Sequence, residues 1–168
     1  AGLTEGGARQ VAMGLAGPLI VEEPAPTWNQ EIVLAFNAFD PGFNADPHGY
    51  STNDFRAKYW LINGQAYPDV GWVDVMTGTT VLMRYLNIGL EHHTLGLLGL
   101  GQQVIASDGE SLPFPQGAVA PDIMPGQTLD TLVEIPAGAE TDTLYPLYNA
   151  SLHQHNNNQR MADTRSAF

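Results

Sequence analysis

Apolar positions along the chain fall into short runs broken by glycine and proline, and several of them alternate with polar positions every second residue. Glu31-Ile32-Val33-Leu34-Ala35-Phe36-Asn37-Ala38-Phe39 predicts a strand, and Thr80 to Asn87 alternates with period two. Leu129 to Pro136 alternates again, with Leu129, Thr131 and Val133 on one face and Asp130, Leu132 and Glu134 on the other. Tyr59-Trp60-Leu61-Ile62 runs into Asn63-Gly64, the strongest short hairpin signal. Shorter strands are expected at residues 17–22, which Glu22-Glu23-Pro24 stops, at Val73 to Met76, and at Leu144 to Leu152. Residues 93–107 mix apolar residues with glycine and end in the turn Ser107-Asp108-Gly109, and Pro125-Gly126 is a further turn. Residues 40–54 read as a long polar loop. The best helical candidate, Gln10 to Leu15, is short and interrupted by Gly14. Strands at this spacing, punctuated by Gly and Pro, predict an all-β sandwich or barrel.

Composition narrows the function classes. Six Lys and Arg face eighteen Asp and Glu, a formal net charge of -12 over 168 residues. Such a balance argues against nucleic-acid binding and against docking on an anionic membrane, both of which need a basic footprint. No apolar run approaches the roughly 20 residues of a membrane-spanning helix. The chain has no cysteine, which excludes disulfides, Cys-based zinc sites, iron–sulfur clusters, thiolate nucleophiles and a blue-copper centre. Hydrophobic residues make up 43%, enough for a core. The chain starts at Ala1 without an initiator Met, so a mature product or a segment of something longer is expected. Pro24-Ala25-Pro26 is the best boundary in the chain, because proline holds itself and its predecessor extended.

Four stretches in order resemble the second cupredoxin domain of a multicopper oxidase. They are Gly14-Leu15-Ala16-Gly17-Pro18-Leu19-Ile20-Val21, Ile62-Asn63-Gly64-Gln65-Ala66-Tyr67-Pro68, Val81-Leu82-Met83-Arg84-Tyr85-Leu86-Asn87-Ile88-Gly89, and Asp108-Gly109 with Pro125-Gly126-Gln127-Thr128-Leu129-Asp130. Together they span residues 10–136. The resemblance implies an all-β, cupredoxin-like Greek-key β-sandwich over residues 25–155. Residues 1–24 would be the closing strand and linker of a preceding cupredoxin domain, and 156–168 a polar tail. It also implies copper in the parent enzyme, with the ligands on neighbouring domains of the same or a partner polypeptide.

Of the copper ligands the resemblance implies, the chain lacks the cysteine and keeps histidines. In the family, Glu91-His92-His93-Thr94-Leu95-Gly96-Leu97-Leu98-Gly99 would stand where a copper-bearing domain reads His-Pro-x-His-Leu-His-Gly. Aligned on Gly99, His93 takes the first histidine, while Gly96 and Leu98 replace the other two. His92 is adjacent and should point to the opposite face of a strand. His153-Gln154-His155 is the one His-x-His, with Gln154 where copper domains carry the cysteine. His153, His155 and His93 are therefore the metal candidates, and two imidazoles alone are too few for a closed site. Packing or interfacial hydrogen bonding is the competing expectation for each.

Other features are weaker. Asp40, Asn44, Asp46, Asn53 and Asp54 are oxygen ligands of the kind Ca²⁺ takes, but their order is not that of an EF-hand, and a solvated loop is the simpler expectation. Asn149-Ala150-Ser151 is a glycosylation sequon. There is no phosphate loop and no Gly-x-Ser-x-Gly elbow. Trp28, Trp60 and Trp72 are expected to pack in cores or interfaces. Three functions stay open: an architectural, copper-free domain of an oxidase that reduces O₂ to water, extracytoplasmic as that family usually is; a non-catalytic assembly module that forms an oligomer; and a small His-based metal-binding protein.

Overall fold

The computed structural model describes residues 6–153. A short helix, α1 (Gly7–Ala12), precedes β1 (Gln30–Phe39), α2 (Pro41–Ala45), a 3-10 turn (Thr52–Asp54) and β2 (Tyr59–Ile62). Then come β3 (Gln65–Ala66), β4 (Thr80–Asn87), β5 (His93–Leu97), β6 (Gln102–Ser107), β7 (Glu110–Ala118), β8 (Asp122–Ile123), β9 (Thr128–Glu134) and β10 (Leu147–Asn149). One sheet has the order β3-β2-β1-β4-β9-β6-β7 and the other β10-β5-β8. β1 and β4 run parallel, from Gln30 opposite Val81 to Phe36 opposite Asn87, and the other pairs are antiparallel.

Alternation in the sequence becomes alternation in burial. Leu34 and Phe36 of β1, Val81, Met83 and Tyr85 of β4, and Leu129 and Val133 of β9 point inward. They meet Leu95 and Leu97 of β5 and Ile123 of β8 from the facing sheet. A second cluster of Phe43, Phe55, Ala12 and Ala38 packs Tyr50, Ala57 and Trp60 at one end. Arg84, on the other face of β4, donates to Glu31 at 2.8 Å and pairs with Asp130, tying three strands together.

The motif residues are turns and clamps. Asn63 and Gly64 both have positive φ, 50° and 79°, as a tight hairpin turn requires. The Asn63 amide accepts from Ala35 N at 2.8 Å and donates to Val33 O at 3.0 Å, so it stands in for a strand partner of β1. Asp108 turns the β6–β7 hairpin and accepts from Thr128 N at 2.9 Å, which links the Asp-Gly turn to the Pro-Gly-Gln stretch before β9.

Several expectations fail locally. Residues 17–22 form no strand: Leu19 is 93% and Val21 79% exposed, and no described strand pairs with them. The residues are β-formers, but a strand needs a partner for its backbone. The Val73–Met76 strand is likewise absent, and Trp72 beside it is 83% exposed rather than packed. The loop at 40–54 contains α2 and the 3-10 turn, and α1 forms where only a broken candidate was visible. Pro41 at the first helical position and Asp40 as N-cap, accepting from Gly42 N at 2.8 Å, start α2.

Candidate functional site

Histidines and one tryptophan gather at the end of the sandwich where β2, β5 and the segment after β10 meet. Asn87 delivers the chain there. Fully buried at the end of β4, its amide donates to Glu91 O at 2.8 Å and to Ile123 O at 3.1 Å and accepts from Gly89 N at 3.0 Å. The bent segment that follows leads straight into β5. His92 is then exposed and His93 is 2% exposed, the opposite-face placement expected of neighbours on a strand.

Asn149 fixes His93. Its Oδ1 accepts from Thr94 N and Ser151 N, both at 3.1 Å, which leaves its NH₂ to donate to His93 Nδ1 at 2.9 Å. Reversing the amide would lose two backbone bonds, so Nδ1 is the acceptor and the neutral ring carries its proton on Nε2. That Nε2 is buried and has no partner among the described residues. Burial, with the neighbouring His153 and His92 acting in the same direction, lowers the His93 pKa to about 4. Ser151 reinforces the clasp, its Oγ accepting from Thr94 N at 3.1 Å and donating to Thr94 Oγ1 at 3.0 Å. The sequon is thus a structural tie, with both its Asn and its Ser engaged.

Trp60 is the floor of the site. His153 stacks on its indole with ring centroids 3.8 Å apart and 16° between planes, and His93 stands edge-on at 5.6 Å. His153 Nε2 donates to His92 O at 3.3 Å. The indole Nε1 is buried without a partner among the described residues. A groove of about 480 Å³ opens here, lined by Phe55, Arg56, Lys58, Trp60, Glu91 and His153. Asp40 holds the Arg56 stretch in place, accepting from Arg56 N and from the Tyr50 hydroxyl, each at 2.8 Å. Burial alone would raise the Asp40 pKa, but these donors with Gly42 N and Phe43 N outweigh it and lower the pKa. The Asp40 carboxylate is thus committed to its own backbone and to Tyr50, and Asp46 likewise accepts from Gly49 N at 3.0 Å. Asp40 is 4% exposed, so the loop is not simply solvated.

The described residues alone do not make a copper centre. Among the described residues no three His, Cys, Asp or Glu gather as a metal would require. His93 presents a proton rather than a lone pair, and the His93 and His153 rings are 6.2 Å apart. At position 96 a Cβ would fall 2.5 Å from the Tyr148 ring, so glycine stands there because Tyr148 covers it. His155 lies outside the described residues. Sequence reasoning missed Asn149 as the His93 partner, although Asn and Ser two residues apart before His153 were visible. It also missed Arg56 and Lys58, whose role depends on the fold alone.

The solved structures place this architecture. A blue copper oxidase from Nitrosomonas europaea superposes with a TM-score of 0.74 at 21% identity, over 85% of this chain and 46% of that one. A multicopper oxidase called mgLAC gives 0.73 at 21%, over 86% and 46%. The fold is the cupredoxin-like sandwich of the multicopper oxidases. A multi-copper oxidase from Pseudomonas thermotolerans gives 0.66 at 24%, covering 86% of this chain and 36% of its own. The chain thus spans less than half the length of each of these oxidases. No family model and no curated protein sequence matches it. Among the described residues no helix is long and apolar enough to cross a membrane.

Proposed function

We propose that this chain is a copper-free, architectural cupredoxin domain of a multicopper oxidase, holding neighbouring domains that carry the copper and the oxidation chemistry. The observation that carries this is β5. Where the resemblance calls for a histidine cluster, it offers one histidine whose Nδ1 is taken by Asn149 and a glycine covered by Tyr148. Residues 1–24 would be the closing strand and linker of the preceding domain, with 25–155 the sandwich and 156–168 a tail. The bare, β-prone Leu19-Ile20-Val21 supports that division, because it lacks the sheet it would complete. The enzyme would work outside the cytoplasm, as that family usually does.

The test is copper per chain in the natively purified protein, with EPR on the same sample. Several coppers with a blue-copper signal are expected, contributed by the neighbouring domains. A single copper lacking that signal, lost in His153→Ala and His155→Ala, would replace this proposal with a His-based metal site. A copper-free particle that assembles stably would replace it with the assembly module.

A further inference from the structure

Beneath the groove, at Trp60 and at His93 behind it, lies an unspent hydrogen-bonding capacity of one sign. Trp60 Nε1 and His93 Nε2 are both buried and both without a partner among the described residues. An indole N–H is only ever a donor, and the clasp by Asn149 makes His93 Nε2 a donor too. Two orphan buried donors on rings in edge-to-face contact is an unusual arrangement, since such groups are ordinarily paired.

The charges around them have the matching sign. In a chain of net charge -12, Arg56 and Lys58 both line this groove, and neither is within ion-pairing distance of a carboxylate among the described residues. The Arg56 guanidinium instead donates to Phe55 O at 2.7 Å. By contrast, Arg84 on β4 has two carboxylates. Glu91 is the single acid on the groove wall among the described residues.

We propose that this groove binds a small monocarboxylate, whose two oxygens accept from Trp60 Nε1 and His93 Nε2 while Arg56 and Lys58 balance its charge. A bridging water would satisfy the same donors but would bring two hydrogens needing acceptors of their own; a carboxylate brings none. Glu91 opposes a second negative charge on the ligand, which selects a monoanion. His153 is the side chain that yields on entry. It lies flat on the indole and is held by one long 3.3 Å bond.

The probe is acetate, titrated into the full chain in carboxylate-free, low-chloride buffer at neutral pH while the Trp60 indole N–H is followed by ¹⁵N–¹H NMR. The expected result is a saturable downfield shift of that N–H, with acetamide inert. Affinity should fall about tenfold in the double variant Arg56→Gln, Lys58→Gln, whose side chains are exposed and leave the fold intact. Trp60→Phe should also weaken binding, read on the His93 ring. Three outcomes would overturn the proposal: an indole N–H that acetate does not move, which leaves water as the partner; acetamide binding as well as acetate; or full affinity in the double variant.

Discussion

Gln102, in the middle of the sandwich, and His93, at its end, are buried to the same degree, and their hydrogen bonding is opposite. Gln102 Oε1 accepts from the Tyr85 hydroxyl at 2.7 Å, and its NH₂ donates to Leu95 O at 2.8 Å. Thr131 Oγ1 approaches the same oxygen at 3.5 Å. Burial pushes the Tyr85 pKa well above its usual value, so the hydroxyl keeps the proton that the network uses. Every member is an internal partner of another. At His93 one nitrogen is tied and the other left over, as is the indole N–H beside it. A buried polar group costs about 1–3 kcal/mol when unpaired, so the closed network stabilises the fold while the open one holds donors that the proposed carboxylate would take.

The largest test of that contrast is a pair of near-isosteric substitutions. Gln102→Leu takes the short acceptor from the Tyr85 hydroxyl, leaving it Met83 Sδ at 3.4 Å, and removes the donor to the Leu95 carbonyl in the core, and should cost roughly 3 kcal/mol of unfolding free energy. His93→Leu removes a donor that had no partner, and the Asn149 amide it frees is only half-buried. Its cost should be about 1 kcal/mol or less. Chemical denaturation of both variants decides the matter, and equal costs would erase the distinction between the two clusters.

The same histidine gives the contrast a pH signature. Its folded pKa of about 4 lies below the ordinary 6.5, so only the unfolded chain takes up a proton between those values. Stability from this group is therefore whole above pH 6.5 and drains away as pH falls toward 4, by at most roughly 3 kcal/mol. Denaturation midpoints measured across that interval should fall in the wild type and fall less in His93→Leu. The Gln102 network contains no group that titrates there, so Gln102→Leu should keep the wild-type slope. A His93→Leu variant with an unchanged slope would show that the ring is not buried as a neutral group.

The sandwich itself was legible in the sequence because period-two alternation records which face is buried. Thr80 to Asn87 and Leu129 to Glu134 match β4 and nearly all of β9, with the inward face as expected. Asn63-Gly64 and Asp108-Gly109 were legible because positive φ restricts the residues a turn can use. Residues 17–22 misled for a physical reason. β-propensity describes a residue that fits a sheet, and these have no sheet among the described residues to fit. α2 was hidden because five residues carry no period, and only the Asp40-Pro41 cap announced it. At the site, His93 stood out by type and spacing, whereas its meaning rests on the Asn149 side chain, 56 residues away in sequence. Arg56 and Lys58 became a pair facing Trp60 only once Asp40 had anchored their segment.

Asn149→Asp offers the finest cut, because it keeps the side chain's shape while reversing one hydrogen bond and adding one charge. Aspartate keeps the oxygen that accepts from Thr94 N and Ser151 N, so the clasp between β5 and β10 survives, and stability should move by about 1 kcal/mol or less. Its second oxygen can only accept, so His93 Nδ1 must become the donor and Nε2 must surrender its proton. The ¹⁵N shifts of the ring distinguish the two tautomers, and the variant should show the Nδ1–H form where the wild type shows Nε2–H. The new carboxylate also favours the imidazolium, so the His93 pKa should rise from about 4. Acetate binding in the groove should weaken in step, since one of its two donors has become a lone pair and a negative charge has been added nearby. Persistence of Nε2–H in the aspartate variant would mean that something other than Asn149 sets the tautomer, and the open network would then have to be explained from the Trp60 side.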